Sequence, residues 1–347
     1  FFSPILHLSH STYDLRHYHY NQPYAILQVT NHQGGNLMLV HIENLVKRYG
    51  DLLALDHLSL DIEEGEIFGL LGPNGSGKTT AINCLLALLK YDKGTITIFG
   101  KDMKPDSYDI KQDIGVVMQN VAVFEQMSVY ENIDYFCGLY IRDKQKRREL
   151  VEEAIAFTGL SDFRKMRPKK LSGGLLRRLN IACGIVHKPR LIIMDEPTVA
   201  VDPQSRNKIL EGILELNRQG STIIYTSHYM EEVEQICTRI AIIDHGRVLA
   251  SGTTEELKKM IKTGETITIE AVALTKNNLA DIRSLSHVFD LSYQDQTMIL
   301  RCSGAKHNLI RVLNYLQEQD IPFGRVFSEL PTLNDVFLEI TGKELRD

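Results

Sequence analysis

Apolar and polar positions change rhythm along this chain, and the changes outline its elements. Residues 40–46 and 58–62 alternate apolar and polar, the period of strands with one buried face. Residues 66–71 form an apolar strand running straight into a glycine-rich turn. Residues 79–89 repeat their apolar positions at helical spacing, 95–99 and 114–118 read as strands, and 129–173 reads as largely helical. Residues 191–194 and 222–225 are short strands of the buried type, each followed by a helical segment. Strand and helix alternating in this order predict an α/β core with a mostly parallel sheet and a helical block inserted at about 120–180.

After about residue 257 the rhythm is different. Residues 266–273 read as a strand, 278–286 as a helix, and 288–293 with 298–302 as a hairpin. Residues 307–319 are helical, 323–328 a strand, and 333–341 a closing helix. This β-α-β-β-α-β order predicts a small split-βαβ domain over 258–347, following a first domain over 38–257.

The opening stretch, 1–37, shows neither period. It carries a cluster of His17, Tyr18, His19 and Tyr20, which is weak support for a metal-binding tail. Gln33-Gly34-Gly35 can be encoded by codons containing AAGGAGG, a ribosome-binding sequence, shortly before Met38. The expectation is that 1–37 is a non-native or upstream-translated extension and that Met38 is the natural start.

Composition narrows the class. At 347 residues, 43% hydrophobic and 24% charged, the chain has room for two globular domains. A net charge of -5 gives no basic field, so nucleic acid is not an expected partner. The basic run at 164–170 reads as a solvated face of the helical block. The five cysteines have neither CxxC pairing nor ligand-like spacing, as in a protein of a reducing compartment. The longest apolar tract, 81–89, is far short of the about 18–20 residues a bilayer span needs. Any membrane role is therefore expected to act through a partner.

Gly72-Pro73-Asn74-Gly75-Ser76-Gly77-Lys78-Thr79 fits G-x-x-x-x-G-K-[ST] in full, with Thr80 continuing it into a predicted helix. Such glycines let successive backbone N–H groups face phosphate oxygens, and the helix start adds partial positive charge. Lys78 is expected to reach the outer phosphates and the Thr79 hydroxyl to bind Mg2+. An apolar strand at 191–194 ends in Asp195 and Glu196, placing one carboxylate for the metal and one for the attacking water. Many buried strands end in an acid, so this pair gains weight only from its neighbours. Leu171-Ser172-Gly173-Gly174 precedes a helix with Leu175, Leu179, Ala182 and Val186 on one face; Ser172 is a natural N-cap, and the glycines allow close approach to the helix start.

Together these segments resemble the ABC ATPase family, and the remaining family motifs follow in order over residues 38 to about 257. Tyr49 matches the aromatic that stacks on adenine. Gln119 matches the glutamine that touches Mg2+ and water and links the site to the membrane partner. Asp202 matches the loop crossing the dimer interface, and His228 the switch histidine contacting the γ-phosphate. Leu175 stands where glutamine is frequent, and Val199-Ala200-Val201-Asp202 departs from the commoner interface loop; both bear on the dimer contact and not on the phosphate chemistry.

The resemblance implies a P-loop NTPase (RecA-like) core with an inserted helical subdomain and a small C-terminal α+β domain. It implies ATP and Mg2+ as ligands, with Glu196, His228 and Gln119 catalytic and Thr79, Gln119 and Asp195 on the metal. Two cassettes would pair head to tail, each ATP lying between one phosphate loop and the partner's Ser172-Gly173-Gly174 segment. One motif set per chain implies a homodimer or a paralogous partner. The segment 121–140 resembles the face that receives a transporter's coupling helix, and the tail 330–342 resembles drug-, antibiotic- and sodium-export ATPase subunits. The expected function is thus the ATPase subunit of an exporter, on the cytoplasmic face of the membrane through a separate permease. An importer subunit or a soluble non-transport ABC ATPase are the alternatives.

Overall fold

The computed structural model describes residues 27–28, 38–272, 274–304 and 307–342. The expectations for 1–37 fall outside these, apart from a two-residue strand, Leu27–Gln28, paired in parallel with Arg247–Gly252.

The central sheet runs in the order Leu27–Gln28, Arg247–Gly252, Arg239–Asp244, Ile67–Leu71, Thr222–Ser227, Leu191–Asp195, Ile114–Val117. From Arg239–Asp244 onward its strands are parallel. Ile67–Leu71, Leu191–Asp195 and Thr222–Ser227 are buried at every position, which is why they read as continuous apolar runs: both faces are covered. One face packs on an antiparallel sheet made by Met38–Tyr49, Leu52–Glu63, Lys93–Ile98 and Lys101–Asp102, and on the helix Lys78–Leu85. The other face carries the helices Pro203–Arg218, Met230–Ile236 and Thr254–Lys259.

The helical block is Val129–Gly138, Lys144–Phe157 and Gly173–Ile185, around a core that includes Ile133, Val151, Leu179 and Val186. The sequence pattern made 129–173 one largely helical stretch, whereas the chain leaves the helix after Phe157. Gly159 takes a φ of 64°, and Pro168, which lacks an N–H, begins a single 3-10 turn. The predicted helix 79–89 likewise stops at Leu85, before Ala87 turns left-handed at φ 52°.

The hairpin Arg239–Asp244 with Arg247–Gly252 was not anticipated. Its turn places His245 at φ 47° and Gly246 at φ 73°, as a two-residue hairpin loop requires. The C-terminal sheet has the order Val288–Gln294, Thr297–Ser303, Thr263–Ala271, Phe323–Glu329, all antiparallel, with Lys276–Ser284 and Asn308–Glu318 supplying Ile282, Val312 and Leu316 to its core.

The closing helix Leu333–Thr341 is divided from that sheet. Leu333, Val336 and Phe337 are buried with Val233, Ile236 and Leu257 in the cluster under the central sheet. Glu234 accepts a 2.6 Å hydrogen bond from the Leu333 N–H and a 3.1 Å one from Lys258. The segment 258–347, read from the pattern as one unit, thus contributes to two cores.

Candidate active site

The site forms where the central parallel strands end. Ile67–Leu71 delivers the chain into Gly72–Thr79, and Lys78–Leu85 continues from that turn with its N-terminus facing the cleft. Gly77 has φ 108°, and a Cβ there would lie 2.9 Å from the Ala54 carbonyl oxygen, so the turn closes only with glycine. The Ser76 hydroxyl in the same turn is buried without a hydrogen-bond partner. Lys78 is 5% exposed, and its ammonium donates to the carbonyls of Gly72 at 2.7 Å and Pro73 at 3.2 Å. Burial pulls its pKa below the ordinary lysine value, while Glu196 and Asp195 oppose that shift.

One strand, Leu191–Asp195, brings both carboxylates, and its neighbour Thr222–Ser227 anchors them through Thr226. Asp195 ends Leu191–Asp195; its Oδ2 accepts from the Thr79 hydroxyl at 3.1 Å and its Oδ1 from Thr226 at 2.6 Å. The next residue, Glu196, sits left-handed at φ 48°, an uncommon conformation for a side-chain-bearing residue. Its N–H donates to the Thr226 hydroxyl at 2.9 Å and carbonyl at 3.2 Å, which holds that turn in place. Gln119 Nε2 donates to Glu196 Oε2 at 3.0 Å, while His228 Nδ1 and Lys78 Nζ stand 3.3 and 3.9 Å from Oε1.

Gln119 follows the strand Ile114–Val117 and is fixed from the helical block. Arg177 donates to the Gln119 carbonyl at 2.8 Å and to that of Met118 at 3.3 Å. Asn180 donates to the Met118 carbonyl and accepts from the Ala122 N–H. Burial lowers the Arg177 pKa and the Glu196 charge opposes it. Tyr49, at the end of its strand, is 48% exposed and lines the same cleft of about 330 Å3 as Asn74, Gly75, Thr80, Gln119 and Glu196.

The other predicted residues lie elsewhere. Ser172 caps Gly173–Ile185, its hydroxyl accepting from the Leu175 N–H at 3.3 Å. Asp202 caps Pro203–Arg218 by accepting from the Ser205 N–H at 2.9 Å, a bond that leads in lowering its pKa. These two helix starts touch: a Cβ on Gly174 would come 2.3 Å from the Ser205 hydroxyl and 3.2 Å from an Asp202 carboxylate oxygen. Ser172, Gly173, Gly174 and Asp202 therefore form a second surface, outside the lining of the cleft.

Sequence reasoning missed Thr226, Arg177, Asn180 and His245. The first three act through hydrogen bonds between elements far apart in the chain, and His245 reaches the cleft on the unanticipated hairpin. Their residue types alone carried no signal. Among the described residues no group of three or more His, Cys, Asp or Glu is arranged to hold a metal ion, and no helix is long and apolar enough to cross a membrane.

Residues 55–199 match the ABC transporter family. The chain is 38% identical over 312 residues to the linearmycin resistance ATP-binding protein LnrL of Bacillus subtilis (strain 168), covering 89% of this chain and 100% of that one. It is 32% identical over 308 residues to the Nod factor export ATP-binding protein I of Sinorhizobium fredii (strain NBRC 101917 / NGR234), covering 89% and 87%. A dimeric ATP-binding cassette in a post-hydrolysis state bound to ADP and Pi superposes with a TM-score of 0.57 at 28% identity, covering 62% of this chain and 98% of that one.

Proposed function

This chain belongs to the ABC transporter family as an ATP-binding, ATP-hydrolysing subunit, and from that premise we propose that it drives an exporter of the drug or antibiotic type. The observation that carries the chemistry is the convergence of Lys78, Thr79, Asp195, Glu196, Gln119 and His228 at the end of the parallel strands. Tyr49 takes the adenine face, and residues 72–80 wrap the phosphates with backbone N–H groups and the helix N-terminus. The Lys78 ammonium leaves the Gly72 and Pro73 carbonyls for the outer phosphates. Glu196 orients the attacking water and takes its proton, while Gln119 and His228 hold the carboxylate and the γ-phosphate in register.

A divalent ion fits the donors present. The Thr79 hydroxyl and the Asp195 carboxylate lie 3.1 Å apart as hard oxygens, with Gln119 nearby, and no all-protein metal cage competes among the described residues. Mg2+ bound there with the nucleotide would neutralise charge developing on the phosphate oxygens.

The division of the predicted residues into two surfaces supports head-to-tail pairing. The cleft of one chain leaves the outer phosphates open, and the Ser172-Gly173-Gly174 helix start with Asp202 is free to close the cleft of a second copy or a related chain. ATP then joins the two, and its hydrolysis releases them. The membrane partner would dock on the aromatic surface beside the Gln119 loop, where Phe124 and Tyr135 are each more than 40% exposed and pack edge-on at 4.9 Å. That places the subunit at the cytoplasmic face of a membrane through a separate permease, without nucleic acid. The relatives' own functions, resistance and export, favour outward transport over import.

The test is to purify the Glu196→Gln form with ATP in mild detergent from its native cells. A polytopic membrane protein in stoichiometric amount is the expected companion. Ribosomes, DNA-repair proteins or no companion would overturn the transporter assignment.

A further inference from the structure

One buried carboxylate outside the cleft joins the three loops that carry the proposed machinery. Glu232, on Met230–Ile236, is 3% exposed. Its Oε2 accepts hydrogen bonds from Tyr225 at 2.6 Å, Thr198 at 2.8 Å and Ser227 at 3.1 Å. Its Oε1 lies 3.2 Å from Arg206 Nε.

Thr198, Arg206 and Ser227 each adjoin a different working loop. Thr198 lies two residues beyond Glu196. Arg206 is on the first turn of the helix capped by Asp202, its N–H donating to the Asp202 carbonyl at 2.9 Å. Ser227 directly precedes His228, and its hydroxyl, while donating to Glu232, accepts from the Tyr229 N–H at 2.9 Å. Ser227 is therefore pinned to Glu232, and Tyr229 to Ser227, on the two sides of His228. The Arg206 guanidinium also lies 4.7 Å from the centre of the Tyr229 ring, which in turn lies 4.1 Å from the His228 ring.

A buried carboxylate is costly unless donors and a cation surround it, and here they come from three separate segments: the Thr198 loop, the Arg206 helix and the strand Thr222–Ser227. Fold stability alone asks only that these donors be satisfied. Their distribution does more: no one of the Glu196, Asp202 and His228 loops can shift without disturbing a contact with Glu232, hydrogen bonds for Thr198 and Ser227 and an ion pair for Arg206. Burial, followed by the neighbouring Glu232 charge, raises the Tyr225 pKa well above the ordinary tyrosine value, so that phenol stays a donor.

We propose that Glu232 is a positioning residue that holds His228 in register with Glu196 and the Asp202 loop, so that closure of the dimer interface and alignment of the switch histidine occur together. This rests on the roles proposed above for His228 and Asp202. Glu232 touches no nucleotide; it acts through Ser227, Tyr229 and Arg206.

The test is a double-mutant cycle on the full-length protein, reading kcat, ATP affinity and melting temperature with Mg-ATP. Glu232→Gln keeps the shape but faces Arg206 without a full charge. It should lower kcat about 10- to 100-fold, the scale of a misplaced catalytic group, with ATP affinity unchanged within about twofold. In the His228→Ala background the same change should slow turnover by no more than about threefold, because the residue it positions is gone. An equal loss in both backgrounds would make Glu232 a structural residue only and overturn the proposal. If Glu232→Gln does not fold, Ser227→Ala cuts a single link and should lower kcat severalfold with the same non-additivity; full activity there would also overturn it. Normal turnover in His228→Ala alone would remove the switch role itself, and the proposal with it, whereas a slow His228→Ala beside a fully active Glu232→Gln rejects Glu232 only.

Discussion

Replacing Glu196 by glutamine removes one proton-accepting charge and almost no volume, so it separates chemistry from binding. In the structure Glu196 Oε2 accepts from Gln119 at 3.0 Å, a bond the glutamine oxygen can keep. The backbone turn at φ 48° is held by Thr226 and not by the carboxylate, so the side chain stays where it is. Lys78 and the backbone N–H groups of residues 72–80 supply the phosphate contacts and none of them comes from the Glu196 side chain, which meets Lys78 only at 3.9 Å. What is lost is the base. A positioned general base contributes about 10²- to 10⁴-fold, which at about 1.4 kcal/mol per tenfold corresponds to a barrier raised by roughly 3–5 kcal/mol. Phosphate release under saturating Mg-ATP measures kcat, and titration calorimetry with ATP measures binding. The expected result is a kcat lower by at least about 100-fold with ATP affinity preserved or tightened. A kcat within tenfold of the wild type would refute the base assignment. Equal loss of binding and turnover would refute the argument that the phosphate contacts are independent of Glu196.

Further outcomes follow from the same geometry. Lys78→Ala should weaken ATP binding by about 10- to 100-fold, the worth of a charge-assisted contact; calorimetry showing unchanged affinity would remove Lys78 from the phosphates. Burial raises the Cys84, Cys137 and Cys302 thiols to about 11 and pushes Cys183 and Cys237 still further above the ordinary range. At pH 8 a thiol of pKa 11 is only about one part in a thousand thiolate, so mass spectrometry should find the native cysteines almost unalkylated by iodoacetamide. Unfolding at pH 8 should expose all five to labelling; ready alkylation of the folded protein would contradict their burial. Phe337→Ala removes a 2% exposed ring from the cluster under the central sheet. It should cost about 3–5 kcal/mol and lower the calorimetric melting temperature by several degrees; a shift under one degree would mean the closing helix contributes little to that core.

Much of the catalytic half was legible because its chemistry is local. A phosphate loop needs glycines, a lysine and a threonine at fixed offsets, and the strand before it must be apolar to be buried on both faces. The short wholly buried strands that end at Asp195 and Ser227 announced themselves for the same reason. The hairpin at 239–252 was missed although residues 240–243 are a continuous apolar run, because its second strand, Arg247–Gly252, is mixed and nothing in its turn carried chemistry. The helical block was drawn as one long stretch because its breaks, at 139–143 and 158–172, carry few stop signals beyond Gly138, Gly159 and Pro168.

The sequence by itself determined which groups the protein brings to phosphate: their types, their order and the α/β class that presents them, since each depends on neighbours within a few residues. Tertiary structure alone decided which groups meet. It set Gln119 and His228 around one carboxylate, tied Gln119 to Arg177 and gathered three loops on Glu232. It also drew the closing helix away from the sheet that precedes it and into the core under the central sheet. The physical reason is range. Backbone propensity and apolar period act within one element, whereas a hydrogen bond between residues dozens of positions apart exists only once burial of the sheet has fixed where every strand ends.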